Sequence, residues 1–462
     1  MTNLELGIIG NGTVAGLIDE DANCVWLCLP RLDGEPVFNK LLGGRGKFAV
    51  SLQGHCKSTQ TYQRNTAIIE TILEAEDGSA IKVTDYCPRF MDKGRMFRPA
   101  SMVRRITPLK GMPRINVELF AQSQHGEYNM VTRRGVNHIS FLDETAGFRV
   151  TTDAPVSYVM DGRDFVLDRE VSFMLGPDES LSDRVGVIAL EWLERTADHW
   201  MGWSRRLATP PDWQDAVIRA AITLKLCVYE ETGGIVAALT TSIPEHAGSQ
   251  RNWDYRYCWL RDAYFTVTAL NRLSAVGTLE HYLAYLRNTV AHTRGGHIQP
   301  VYGIALENDL TEKIAQALPG YRGMGPVRFG NQAAEHIQHD VYGHARARPS
   351  SMTACTPRLA RWNLRISKVW ANAPMPSGIR RMPASGNFAA ARTSTHRQRS
   401  CAGRLATGLP ASRPSSTCRT RLRSGMARPM KSVPACSILP GTKSVRHLPA
   451  PLARMRSTRP CC

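Results

Sequence analysis

One stretch of the chain, from Arg251 to Tyr264, concentrates residues able to bind a ligand. Five of its fourteen residues are aromatic and five are charged. Aromatic rings pack against the C–H faces of sugar rings, while Arg and Asp side chains form directional hydrogen bonds to hydroxyl groups. The mixture predicts a saccharide-binding site.

The spacing within this stretch predicts how the side chains are presented. An aromatic residue at every second position from Trp253 to Trp259 suits an extended segment. Arg261 and Asp262 would follow at the start of a helix, where the helix dipole favours a carboxylate. A structural alternative stays open, in which Asp262 only stabilises the N-terminus of its helix and the aromatic rings belong to the core.

Asp254 and Asp262 are a candidate acid and base pair, because two carboxylates can divide these roles in hydrolysis. Their separation of eight positions does not fix the distance between the two carboxylates. The sequence therefore does not establish the pair.

The elements that must position these residues change in kind along the chain. Residues 1–175 contain short β-branched runs broken by Gly, Asp and Asn, with hairpin-type turns at Asp77-Gly78 and Asp161-Gly162. This pattern predicts an antiparallel β-sandwich domain. The predicted strands lie at Ile8-Ile9, 14–18, 25–27, 48–52, 68–73 and 148–150.

Helical periodicity follows after Pro177-Asp178. Helices are predicted over 179–208, 212–229 and 260–276, the last ending at Gly277, with Thr278 capping another helix. Residues 176–209 are interpreted as a helical linker. Residues 210–343 are interpreted as the first part of an all-α domain.

The composition breaks sharply after Asp340, the last acidic residue. Residues 1–340 hold all 40 Asp and Glu against 35 Lys and Arg, whereas residues 341–462 hold 23 Lys and Arg and no acid. The formal net charge of +18 therefore comes wholly from the tail.

Two hypotheses account for residues 344–462. A disordered Pro/Ser/Arg-rich arm could bind nucleic acid through phosphate charge. The favoured hypothesis is a G+C-rich gene read out of frame, which yields Arg, Pro, Ala, Ser, Gly and Cys without periodicity. The shifted frame of Met382 to Ala389 permits Asp-Ala-Gly-Ile-Trp-Glu-Phe-Arg, and no nucleic acid is then expected as a partner.

Other classes of protein find little support. The sequence lacks a run of 18 apolar residues and a cationic, apolar signal segment, so a cytoplasmic location without a membrane is predicted. No metal site or cofactor is predicted, since the cysteines before the tail lack paired metal spacing. These cysteines are Cys24, Cys28, Cys56, Cys87, Cys227 and Cys258.

Three segments resemble glycoside hydrolase family 15, the bacterial glucoamylase and trehalase-type enzymes. The main one spans 234–264 and includes Arg-Asn-Trp-Asp-Tyr-Arg-Tyr-Cys-Trp-Leu-Arg-Asp-Ala. The others are Leu6 to Thr13 with Cys28 to Asp33, and Gly320 to Ala333 with Gln338 to Gly343. The resemblance covers residues 1–343.

The resemblance implies a β-sandwich, a helical linker and a truncated α/α toroid whose funnel holds a non-reducing-end glucose. Arg261 and Asp262 would grip its hydroxyl groups, Tyr255 and Trp259 would line its pocket, and Arg328 is a further candidate for the neighbouring unit. The substrate would be an α-glucoside such as trehalose or a malto-oligosaccharide.

The family hydrolyses α-glucosidic bonds with inversion, using one carboxylic acid and one carboxylate base. The general acid belongs to an Asp-x-Gly-Ile-Trp-Glu motif and the base lies further downstream, but neither Glu occurs in this chain. The resemblance therefore implies an inactive product. The alternative is a catalytically dead saccharide-binding remnant.

Overall fold

The computed structural model of the chain describes residues 3–144, 147–292, 298–338 and 340–341. The predicted disordered tail, residues 344–462, lies outside the described residues. Within the described part, no helix is both long and apolar enough to cross a membrane.

Two antiparallel sheets form the N-terminal part, which confirms the predicted antiparallel β architecture. In the first sheet, the strands are Gly7–Gly10, Ala15–Ile18, Cys24–Leu29, Glu35–Phe38, Lys47–Leu52, Arg114–Phe120 and Phe165–Val166. In the second, they are His55–Tyr62, Ile69–Ala75, Ala80–Tyr86, Met102–Lys110, Val131–Arg134, His138–Leu142, Gly147–Thr152 and Val171–Gly176. Each predicted strand overlaps an observed strand.

The two sheets share one apolar core, and a buried arginine of the second sheet reaches the first. Phe48 of the first sheet and Phe173 of the second have ring centroids 5.5 Å apart. Arg104 donates to the Asp85 carboxylate at 2.7 and 2.9 Å, with both side chains at 0% exposure, and to the Phe48 carbonyl at 2.8 Å. Arg104 therefore ties the second sheet to the first.

Strand Cys24–Leu29 of the first sheet is buried on both faces. Cys24 and Leu27 belong to the core between the sheets. Trp26 and Cys28 instead pack with Leu318 and other residues of the 315–327 segment. The first sheet therefore supports the later part of the chain directly.

The helices follow this β region, apart from one short helix within it. They are α1 (Val156–Asp161), α2 (Val185–Ser204), α3 (Gln214–Leu226), α4 (Leu260–Arg272) and α5 (Val276–His292). α2 packs on the second sheet, while α4 and α5 share an apolar cluster. Short strand pairs join Cys258–Trp259 to Val301–Tyr302 and Lys313–Ile314 to Arg328–Phe329.

Several predicted helix boundaries were wrong, including the end of α2, which lies at Ser204 and not at 208. α2 begins at Val185 and not at 179, because Arg184 is extended and the Asp183 carboxylate accepts its backbone N–H at 2.6 Å. α3 ends at Leu226 and not at 229, because Val228 pairs with Ile235 in a β-bridge.

A further error concerns the turn between α4 and α5. α4 ends at Arg272, where Ser274 adopts a φ of 64° and the Ala275 N–H reaches the Leu270 carbonyl at 3.0 Å. Gly277 and Thr278 lie inside α5, so Gly277 does not stop a helix and Thr278 does not cap one.

A second group of buried charges joins the β region to the helices. Arg89 donates to Glu230 at 2.8 Å and to the His199 ring at 2.9 Å, and Lys225 also pairs with Glu230. Burial alone would raise the pKa of Glu230, but the charges of Arg89 and Lys225 lower it to about 2. Burial, with the charge of Arg89, lowers the pKa of His199 to about 3.

We expect replacement of Arg104 by Met to lower the free energy of unfolding by about 3–5 kcal/mol, because Asp85 would be left buried without its partner. Urea unfolding measures this change. The double variant Asp85→Leu/Arg104→Met removes both charges and should recover most of the loss. Equal losses in the single and double variants would contradict a role for the uncompensated charge.

We expect His199 to make the protein less stable as the pH falls. Its folded pKa of about 3 lies below the ordinary 6.5, so the unfolded chain binds a proton that the folded chain does not. Stability is therefore present above pH 6.5 and lost on acidification. Glu230 loses its contribution only below its ordinary pKa of 4.5, outside the interval tested.

The variant His199→Gln can still accept the Arg89 N–H but does not titrate. Between about pH 7 and about pH 5, the parent should lose about 1–2 kcal/mol more unfolding free energy than this variant in urea titrations. Parallel pH profiles for the two proteins would show that His199 is not the titrating group.

Candidate functional site

The aromatic and charged stretch lies in an extended segment, as its alternation predicts. The backbone N–H groups of Ala237, Ala238 and Ser242 donate to the carbonyls of Tyr257, Tyr255 and Trp253 at 2.9–3.0 Å. Segments 237–242 and 253–257 therefore run side by side. α4 begins directly afterwards, which places Arg261 and Asp262 in its first turn.

The two faces of this segment differ in exposure. Asp254 and Arg256 are 0% and 1% exposed, whereas Trp253, Tyr255 and Tyr257 are partly exposed. Alternate side chains of an extended segment point in opposite directions, so the charged pair lies behind the aromatic face.

Tyr255 and Trp259, the two residues expected to line the pocket, are in ring contact. Their ring centroids are 5.5 Å apart at an interplanar angle of 49°. Trp259 is only 7% exposed and packs with Val301 and Leu310. Tyr255 therefore supplies the more accessible aromatic surface of this pair.

Arg261 and Asp262 remain accessible. Their side chains are 38% and 47% exposed, and a guanidinium nitrogen of Arg261 lies 3.4 Å from the Asp262 carboxylate. Burial raises the pKa of the Tyr255 hydroxyl, and the negative charges of Glu245 and Asp262 raise it further. The phenol stays protonated at neutral pH and can donate a hydrogen bond beside Asp262.

Two residues that the sequence analysis did not select complete the surroundings of Arg261. The Arg261 Nη1 group lies 3.3 Å from the Asp340 carboxylate and 3.4 Å from the Gln338 side-chain oxygen. The side chain of Asp340 is 7% exposed. The resemblance of Gln338 to Gly343 to family 15 marked this segment as functional, but its residue types did not predict a contact with Arg261.

Arg328 occupies a different environment. Its Nη1 donates to the carbonyls of Gln250 and Asn252 at 3.0 Å each, and its Nε lies 2.9 Å from Glu312. The guanidinium also covers the Trp253 ring at 4.8 Å. These contacts hold the segment that leads into the aromatic stretch.

The proposed acid and base pair of Asp254 and Asp262 does not fit the geometry. Asp254 is fully buried and forms a bidentate ion pair with Arg256 at 2.9 and 2.7 Å. A carboxylate in this position cannot reach a substrate proton. Among the described residues, no group of three or more His, Cys, Asp or Glu side chains could hold a metal ion.

Two family models match parts of the chain. Residues 3–169 match the family described as "Trehalase-like, N-terminal". Residues 212–355 match "Glycosyl hydrolases family 15", so this match ends beyond Gly343.

Several curated relatives carry the name trehalase. The trehalase of Thermoplasma volcanium is 28% identical over 347 residues, covering 73% of this chain and 55% of the relative. Trehalase 1 of Sulfolobus acidocaldarius is 28% identical over 344 residues, covering 73% and 58%. The trehalase of Mycobacterium tuberculosis is 34% identical over 194 residues, covering 39% and 28%.

These matches confirm the resemblance to a glycoside hydrolase family. The chain is similar to glycosyl hydrolases family 15 over residues 212–355 and to the trehalase-like N-terminal family over residues 3–169. It spans about half the length of the curated relatives, 55% of the Thermoplasma volcanium trehalase.

The contacts of Arg328 predict that its substitution lowers the stability of the fold. Arg328→Met should lower the free energy of unfolding by about 2–3 kcal/mol, because two carbonyls and Glu312 lose a charged donor. Urea unfolding and calorimetric titration with trehalose or maltose would be compared with the parent. Weaker saccharide binding with unchanged stability would instead support the substrate contact implied by the family resemblance.

Proposed function

We propose that residues 1–343 recognise the terminal glucose unit of an α-glucoside. One observation carries the proposal: Arg261 and Asp262 stand exposed in the first turn of α4, which directly follows the extended segment that carries Tyr255. Charged donors and acceptors beside an aromatic ring match a sugar, which presents hydroxyl groups at its edge and C–H groups on its face.

The finer architecture belongs to this proposal. α4 and α5 would be the first helical hairpin of a truncated α/α toroid, which the linker of residues 176–209 joins to a β-sandwich of residues 1–175. Arg261 and Asp262 would bind hydroxyl groups of the glucose, and Tyr255 and Trp259 would line its pocket. Arg328 would be a weaker candidate for contact with the next unit.

Trehalose is the proposed substrate type, with malto-oligosaccharides as the other candidates. Support comes from the relatives named trehalase. In an enzyme of this family, a carboxylic acid would protonate the leaving oxygen while a carboxylate activates water on the opposite face, giving inversion. The two Glu residues expected for these roles are absent from this chain, since no Glu follows residue 335.

We therefore propose that this chain binds glucose units but does not hydrolyse them. Each missing acid or base removes about 10²–10⁴-fold in rate. A frameshift near residue 343 is the hypothesis that accounts for both the missing Glu residues and the composition of the tail. The cytoplasmic location and the less favoured nucleic-acid-binding arm stay predictions of the sequence.

The binding proposal predicts the effect of removing the exposed pair. Arg261→Met and Asp262→Asn should each weaken trehalose binding about 10–100-fold, because each removes hydrogen bonds from a charged group. Calorimetric titration measures the affinity. Arg272→Met is the matched control, since Arg272 is exposed at the other end of the same helix. Equal losses in all three variants would exclude a specific contact.

Hydrolysis is tested in the same preparation by measuring glucose release from trehalose and maltose. The 462-residue chain should release none above background, whereas a version with the frame restored after codon 343 should be active. Appreciable turnover by the unaltered chain would contradict the loss of both catalytic groups.

A further inference from the structure

Arg256 links the aromatic stretch to the β region. Its Nε and Nη2 groups pair with Asp254 at 2.9 and 2.7 Å. Its Nη1 group donates to the Gly34 carbonyl at 2.7 Å and lies 3.6 Å from the Cys28 sulfur. One buried guanidinium therefore contacts its own segment and a loop more than 200 positions earlier in the chain.

The Gly34 carbonyl that accepts this bond is itself held in place. The Gly34 N–H donates to the Arg31 carbonyl at 3.1 Å, and Arg31 pairs with both Asp33 and Glu307 at 2.9 Å. A Cβ atom on Gly34 would lie 2.2 Å from the Leu29 carbonyl oxygen. The loop from Arg31 to Gly34 thus has little freedom to move away from Arg256.

Asp254 is the one negative partner bonded to this guanidinium among the described residues. Burial raises the pKa of Cys28 to about 11, so its thiol is neutral at ordinary pH. Asp254 is also held from behind, because the Asn331 side chain donates to its carbonyl at 3.0 Å. The ion pair is therefore anchored on both sides of the extended segment.

The position of this pair relates it to the candidate site. Asp254 and Arg256 flank Tyr255 in sequence and point to the opposite face of the segment. The chain continues from Arg256 into α4, and Arg261 lies in the first turn of this helix. A shift of the anchor would displace the ring of Tyr255 and the start of the helix together.

We propose that Arg256 is a positioning residue through which the loop from Arg31 to Gly34 holds the saccharide-contacting side chains in register. This inference rests on the proposed function, because it assigns Tyr255, Arg261 and Asp262 to glucose recognition. The β region then helps to position the residues of the site, through the contact of Gly34 with Arg256.

The test uses the full chain with Arg256→Lys and the matched control Arg251→Lys. Lysine keeps the charge opposite Asp254 but cannot make the paired contact and reach Gly34 together. Arg251 lies on the same stretch and pairs with Glu245 at 2.6 Å, but its side chain is 66% exposed. Trehalose titrations, run well below each melting temperature, should show about tenfold weaker binding for Arg256→Lys and less than about twofold for Arg251→Lys.

Hydrogen exchange of the amides in 253–262 provides a readout that needs no ligand. Exchange should be faster in Arg256→Lys than in the parent or in Arg251→Lys, with unchanged exchange in the core of the second sheet. Gly34→Ala should act in the same direction, because its Cβ forces the carbonyl to shift. Combining it with Arg256→Lys should add little, since both changes break one contact.

The outcomes separate this inference from the proposed function. If the parent binds trehalose and Arg256→Lys binds equally well, the positioning role is overturned. If the parent does not bind trehalose, the proposed function fails, and the exchange of 253–262 still decides whether Arg256 orders the segment. Fully additive effects of Gly34→Ala and Arg256→Lys would show that the Gly34 contact is not the link.

Discussion

The burial of strand Cys24–Leu29 on both faces is the constraint on which the rest of the structure depends. One face completes the core between the two sheets, and the other supports the segment of residues 315–327 through Trp26 and Cys28. The Trp26 indole also donates to the carbonyl of Leu239 at 2.8 Å, and Leu239 lies within the 237–242 segment that pairs with the aromatic stretch. A strand with no solvated face fixes the position of everything packed against it, because any shift would open cavities in two clusters.

Buried ion pairs then fix how neighbouring parts of the structure are positioned relative to each other. Arg104 and Asp85 lie between the sheets, Arg89 and Glu230 between the β region and the helices, and Arg256 and Asp254 behind the candidate site. Removing ions from water costs several kcal/mol per ion, so such pairs contribute little to net stability. Their geometry is demanding, however, since a misplaced partner leaves a buried charge unpaired. We infer that these pairs select one arrangement of the parts, while apolar burial supplies the stability.

The sequence predicted the parts that depend on local pattern. Short β-branched runs broken by Gly, Asp and Asn located strands such as Lys47–Leu52, and the alternation from Trp253 to Trp259 predicted the extended segment, with Arg261 at the start of the helix that follows. Helix ends were predicted less well, because Asp183 and Ser274 act through local hydrogen bonds and a left-handed backbone conformation. The anchoring of Arg256 to Gly34 and of Arg261 to Asp340 could not be predicted, since a contact between distant positions leaves no periodic signal.

The same geometry supports the proposal that this chain recognises glucose without cleaving the bond. Inverting hydrolysis needs two carboxyl groups about 6.5–9.5 Å apart, on opposite sides of the scissile bond. Asp262 and Asp340 both contact the single guanidinium of Arg261, at 3.4 and 3.3 Å. Both carboxylates therefore accept from the same charged donor. In the proposed function, the groups around Arg261 orient a hydroxyl group, and the acid and base would be the two Glu residues that this chain lacks.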